Sequence, residues 1–266
     1  MKHMIDVAGL TLHVEERGAG SPPLLLVHGF PLDHTMWRRQ IDDLATTFRV
    51  IAPDLRGYGA SSVTPGTSSM RQFADDLAGL LDALGVVEPI VFCGLSMGGS
   101  IGWQFLQHHR PRVRAMIVCD ARAAADAPEG VRTREQLAER VRREGTGFLP
   151  ETLMPRLFAP ATFEHQPQTI ADTRAVIVNT DPEGVASGAL GLGSRPDVTA
   201  WLPQVDVPTL LIVGEGDKIS TVDEMRSIAE AIPGSEFVVI PGAGHMAPLE
   251  QPVLVNEAIR RFLSRV

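Results

Sequence analysis

The ten residues Val91–Ser100, VFCGLSMGGS, set a glycine-rich turn between an apolar run and a helix-like stretch. Such a turn serves one of two chemistries: it cradles a phosphate on backbone N–H groups, or it raises a serine hydroxyl above a sheet. A phosphate-binding loop requires G-x-x-x-x-G-K-[ST], because the lysine reaches the phosphates. Gly94 and Gly99 have that spacing, but Ser100 stands where the lysine belongs. A dinucleotide fingerprint fails too, since Gly57-Tyr-Gly59 lacks its third glycine and has Ser62 in that place. Gly94-Leu-Ser-Met-Gly98 instead matches G-x-S-x-G, in which a serine sits on a strained strand-to-helix turn and its neighbours two places away must be tiny. The hydroxyl then lies beside a helix N-terminus, where developing negative charge is favoured. Ser96 is the expected nucleophile.

A serine hydroxyl attacks only when a base removes its proton. Of the eight histidines, His245 lies in the Gly/Pro loop Pro241–Pro248, directly after the last strand-like run. Loops at strand C-termini are where α/β sheets carry out chemistry. A third group must orient the imidazole and stabilise its protonated form. Asp217 follows the penultimate strand-like run, and Asp120 follows the one before it. Asp217 is preferred because it keeps the order Ser–Asp–His. Two N–H groups must face the oxyanion: that of Met97, next to the nucleophile, and that of Phe30 in Leu26–Leu32, where Gly29 allows close backbone approach. His28, in the same loop, is expected to hold its shape rather than to act as base.

Short apolar runs at Leu24–His28, Arg49–Pro53, Pro89–Gly94, Val113–Cys119, Thr209–Val213 and Glu236–Ile240 read as strands. Most lack polar alternation, as strands covered on both faces do. Helix-like stretches separate them at Thr35–Thr47, Met70–Leu84, Met97–His109, Val222–Ala231 and Pro252–Val266, and a hairpin around Gly9 precedes them all. This alternation implies a mostly parallel sheet with helices on both faces. From Arg122 to Ala200 the rhythm breaks: no strand is evident, and helices are expected at Thr133–Glu144, Pro150–Phe158 and Pro167–Asn179. An insertion of that length is expected to form a helical cap (122–200) on a core built from 1–121 and 201–266, since ordinary loops are far shorter.

The chain has 266 residues, 44% of them apolar and 21% charged, which is ordinary for a globular protein and argues against wholesale disorder. Its formal net charge of −8 disfavours nucleic acid and anionic lipid as partners. Cys93 and Cys119 both sit in apolar runs and are expected to be buried free thiols. No run approaches the ~20 apolar residues of a membrane span, and the start lacks a signal-peptide pattern, so a cytoplasmic location is expected. Neither an H-E-x-x-H motif nor a Cys/His cluster occurs, and no metal or organic cofactor is expected. Oligomeric state is not legible.

His28-Gly-Phe-Pro31, Asp54-Leu-Arg-Gly-Tyr-Gly-Ala-Ser61, Gly94-Leu-Ser-Met-Gly98, Asp217 and Gly244-His245 together resemble the α/β-hydrolase superfamily over nearly the whole chain. In form they are similar to small bacterial serine esterases and cofactor-free haloperoxidase/perhydrolases. The resemblance implies an eight-stranded sheet, a cap inserted after the sixth strand, a structural role for the Asp54 turn, and ester hydrolysis through an acyl-enzyme; the mixed, partly apolar cap sequence points to a small or medium acyl group. An enol-lactonase would use the same triad, and Arg122 lends that alternative slight support as a carboxylate-binding group, a surface or ion-paired arginine being the commoner case. C–C bond hydrolases of the superfamily usually carry tryptophan where Met246 stands, which counts against that alternative. A weakly catalytic ligand-binding member would keep the same residues. Substrate contacts are expected from Leu32, Arg122, Phe158 and Met246.

Overall fold

The structure, a computed structural model, describes Met1–Val266. β1 (Lys2–Val7) and β2 (Leu10–Arg17) form the expected antiparallel hairpin, turning through Ala8 and Gly9 at positive φ. β3 (Leu24–Val27), β4 (Val50–Pro53), β5 (Ile90–Leu95), β6 (Val113–Cys119), β7 (Thr209–Gly214) and β8 (Glu236–Ile240) complete one sheet in the order β1-β2-β4-β3-β5-β6-β7-β8. β2 pairs antiparallel with β1 and β4; every other pairing is parallel.

Alternate residues of the central strands feed two apolar cores, one on each face. Leu25 and Val27 of β3 join Phe92 of β5 on one side, while Leu24 and Leu26 join Val91 and Cys93 on the other. Burial on both faces is the physical reason these runs show no polar alternation. α1 (Arg38–Leu44) packs on one face, and α2 (Met70–Ala83) and α3 (Met97–His108) on the other. α2 starts where Ser69 accepts the Gln72 N–H, and it buries Phe73, Leu77, Leu80 and Leu81 at helical spacing. The single helix expected at Thr35–Thr47 is shorter: a 3-10 turn at His34–Trp37 precedes α1, because Asp33 and Asp54 bind that turn's backbone.

Between β6 and β7 lie five helices rather than three: α4 (Pro128–Glu144), α5 (Leu149–Leu157), α6 (Pro160–His165), α7 (Pro167–Asn179) and α8 (Pro182–Gly193). α8 was not expected because four glycines interrupt its helical pattern. Those glycines are the means of close packing: a Cβ on Gly184 would strike the Gly57 backbone, and one on Gly191 the Ser68 carbonyl. α9 (Val222–Ala231), opened by a Thr221–Glu224 capping box, α10 (Ala247–Glu250) and α11 (Pro252–Leu263) finish the chain. No helix is long and apolar enough to cross a membrane.

The strand order reverses between β3 and β5, so the crevice at their C-terminal ends is where an open α/β sheet binds ligands. Nearby, Asp54 at the end of β4 accepts hydrogen bonds from His13 Nδ1 at 2.9 Å, His34 Nδ1 at 2.6 Å and the His34 and Ala60 N–H groups. Burial opposes its ionisation, but the His34 hydrogen bond and charge outweigh that and hold Asp54 down at about 2. His34 is raised correspondingly, against its own burial. A lowered carboxylate contributes stability that is present above its unfolded value and lost as pH falls through the folded one. A raised imidazole contributes stability that is lost as pH rises through its folded value. Stability should therefore fall by about 2 kcal/mol through this group as pH drops from ~4 toward ~2. Denaturant titrations of the native chain and Asp54→Asn check this: the variant should lack that acid-side slope.

Candidate active site

Ser96 links β5 to α3 with φ 54° and ψ −109°, a conformation that L-residues rarely adopt. Its N–H donates to the Cys119 carbonyl at 2.9 Å, and its own carbonyl accepts the Ser100 N–H at 3.1 Å, so the turn is fixed from both sides. A Cβ on Gly94 would overlap the Gly98 carbonyl, and one on Gly98 would overlap that of Val27. The glycines two places before and after Ser96 are thus demanded by backbone contact, as the motif implied. Gly99 lies against Ala121 and Val118, which lets α3 approach the sheet.

His245 is buried, and its Nδ1 lies 2.8 Å from Asp217 Oδ2. Asp217 accepts the Ile219 and Ser220 N–H groups on Oδ1, at 2.7 and 3.1 Å. With Nδ1 donating to a carboxylate, His245 keeps Nε2 free as an acceptor. Asp120, the rival acid, is adjacent rather than remote: one of its oxygens, one of Asp217's and a ring nitrogen of His245 lie within 4.8 Å of one another. It accepts the Gly214 N–H at 2.7 Å. Burial, then the charge of Asp217, pushes its carboxyl well above the usual carboxylate range.

His28 behaves as expected of a loop-shaping residue. Fully buried, it donates from Nδ1 to the Gly29 carbonyl and accepts the Leu55 N–H on Nε2, each at 3.0 Å. Burial lowers it, so it stays neutral. Sequence reading missed Glu250, which accepts the Gly244 N–H at 2.8 Å and the Met246 N–H at 3.3 Å, and so grips the backbone on either side of His245. The same carboxylate accepts the Ala159 N–H and the Thr162 hydroxyl, tying the His245 loop to the segment between β6 and β7.

A cavity of about 440 Å³ is lined by Ser96, Met97, Phe30 and His245 from the sheet side, and by Leu137, Leu149, Leu153 and Leu157 from the helices above. Of the four residues expected at substrate, three are placed elsewhere. Leu32, Phe158 and Met246 are buried in the apolar core and do not line this cavity. Arg122 lines it, but its guanidinium is held by Glu224 at 2.5 Å. Arg134 and Arg195 share the single carboxylate of Asp126 at 2.5 and 2.7 Å. Arg156, exposed and on the same cavity, has no carboxylate partner. Four arginines thus face two acids, Asp126 and Glu129, in a chain that is net negative. Two buried triplets, His13-His34-Asp54 and Asp120-Asp217-His245, bring potential metal-ligand atoms together. In both, hydrogen bonds already join the imidazoles to a carboxylate.

This elbow, loop and sheet order define a class, and residues 22–252 match the family model of the alpha/beta hydrolase fold: the chain belongs to that family. Among solved structures it is similar to a thermophilic esterase from Thermogutta terrifontis (malate bound), 48% identical, covering 100% of this chain and 98% of that one, with a TM-score of 0.96. It is also similar to the enol-lactonase from Burkholderia xenovorans, at 32% identity, 97% and 98% coverage and a TM-score of 0.91. A curated relative, 3-oxoadipate enol-lactonase 2 of Acinetobacter baylyi, is 30% identical over 93% of this chain and 90% of its own length.

Proposed function

We propose that this hydrolase cleaves carboxylic esters of small to medium acyl chain, with Ser96 as nucleophile, His245 as base and Asp217 as the acid that orients it. The observation that carries this reading is that Ser96, on a positive-φ turn, and His245, held at Nδ1 by buried Asp217, line one cavity. Nε2 of His245 takes the Ser96 proton as Oγ attacks the acyl carbonyl. Asp217 stabilises the imidazolium without itself taking the proton. The N–H groups of Met97, at the start of α3, and Phe30, in the loop after β3, serve as donors to the oxyanion; one such donor is worth on the order of 10²–10³ in rate. His245 then gives its proton to the leaving alcohol and activates the water that frees the acyl group.

In this reading 1–121 and 201–266 form the catalytic core and 122–200 the cap. The leucines of α5 and Leu137 of α4 line the cavity above Ser96 and bound the acyl chain.

A second reading, hydrolysis of an enol-lactone, uses the same residues and is favoured by one observation, the unpartnered Arg156 on a cavity with excess arginine. A lactone that keeps a free carboxylate supplies the missing partner. The enol-lactonase relatives and the malate held by the Thermogutta terrifontis esterase support it.

Steady-state kinetics on a series of p-nitrophenyl esters, a neutral lactone and a carboxylate-bearing lactone test both readings. The ester reading expects kcat/KM to peak at short to medium acyl length, and turnover of no ester would contradict it. Arg156→Ala should raise KM about tenfold for the carboxylate-bearing lactone and leave neutral esters unchanged; equal effects on both would remove the second reading. Asp217→Asn should lower kcat by on the order of 10³–10⁴, as expected when the imidazole loses its orienting anion. A loss under tenfold would assign the acid role elsewhere.

A further inference from the structure

Asp120 is a fully buried carboxyl that the ester-cleavage mechanism leaves unused. It follows β6 at φ 48°, and its N–H is bound by the Ile212 carbonyl of β7 at 2.9 Å. Oδ1 accepts the Gly214 N–H, whereas Oδ2 is buried and accepts no hydrogen bond from a donor of the protein. A bare carboxylate oxygen in a buried site is costly, and so is a second negative charge within 4.8 Å of Asp217. The groups facing Asp120 are few. Asp217 comes from the loop after β7, His245 from the loop after β8, and Cys119 from β6 itself. The Cys119 thiol, raised well above its ordinary value by Cys93 and burial, carries no charge. No arginine or lysine binds either carboxyl.

One proton shared between the two acids resolves both difficulties. Asp217 is the better anion, since it accepts His245 Nδ1–H and two backbone N–H groups, while Asp120 accepts only one. We propose that Asp120 is a neutral carboxylic acid whose Oδ2 proton is donated to the Asp217 carboxylate, making it a positioning residue for the Asp217–His245 pair. The hydrogen bond fixes Asp217 opposite the imidazole and disperses part of its charge. Asp217 then holds the imidazolium less tightly. This effect on turnover rests on the triad reading above; the protonation of Asp120 does not.

Infrared spectroscopy of the whole chain provides the first readout. A protonated-carboxyl band should persist at pH 8 in the native protein and in Ser96→Ala, and should vanish in Asp120→Asn. No band lost with residue 120 would overturn the proposal, whether or not the enzyme turns over. Turnover that survives in Ser96→Ala would instead sink the triad reading and leave the band intact.

The pH profile of kcat/KM is the second readout. Asparagine is at home at positive φ; its carbonyl can accept the Gly214 N–H while its amide donates to Asp217. Asp120→Asn should keep kcat/KM within about threefold and leave the acid limb within about 0.3 pH units. Asp120→Gly suits the backbone but removes the donor, and should move the acid limb up by about 0.5–1 unit with a roughly tenfold lower kcat. An acid limb that drops by about a unit in Asp120→Asn would mean that an anion had been removed, and would refute a neutral Asp120.

Discussion

Everything at the site hangs on how closely α3 can approach the strands beneath it. The backbone of Gly98 lies against the carbonyl of Val27 and that of Gly94 against Gly98, with no room for a single Cβ at either glycine. This closeness forces the chain to reverse within one residue after β5, and that residue, Ser96, takes up positive φ. The strain of a non-glycine residue there is modest, on the order of 1–3 kcal/mol, and is held by the hydrogen bonds to Cys119 and Ser100 and by the two cores around the sheet. The same packing brings the loop after β3 beside the elbow, so that Phe30 and Met97 line one cavity.

From the other side, parallel pairing of β6, β7 and β8 brings three loops to one level. Cys119 pairs with Ile212, and Val213 with Val239. Asp120, Asp217 and His245 therefore emerge as neighbours although 125 positions span them in the sequence. Glu250 then grips the His245 loop through Gly244 and Met246 and reaches across to Ala159. Glu250 thus ties the loop of the proposed base to the start of α6, directly after α5.

Much of this was legible because the relevant constraints are local. A G-x-S-x-G turn after an apolar run, with an aspartate and a histidine following later strands, encodes its geometry in the types and order of residues. The sheet followed for the same reason, since unbroken apolar runs mean burial on both faces. What stayed hidden depends on long-range contact. The glycines of α8 look like helix breakers until Gly57 and Ser68 are seen pressed against them. Leu32, Phe158 and Met246 are apolar residues close in sequence to the site, and only the fold shows that they turn into the core. Arg122 and Arg156 look alike on paper; Glu224 neutralises one and nothing neutralises the other. Asp120 and Asp217 read as rivals for one role, whereas the register of β6 and β7 sets them side by side.

The central claim is that Ser96 carries the acyl group during turnover. Rapid-quench mass spectrometry with a slowly hydrolysed p-nitrophenyl ester tests it most directly. The account predicts an added acyl mass on the peptide containing Ser96, formed with a burst of nitrophenol and decaying at the steady-state rate. An adduct on any other residue, turnover without an adduct, or a stoichiometric adduct that never decays would contradict it.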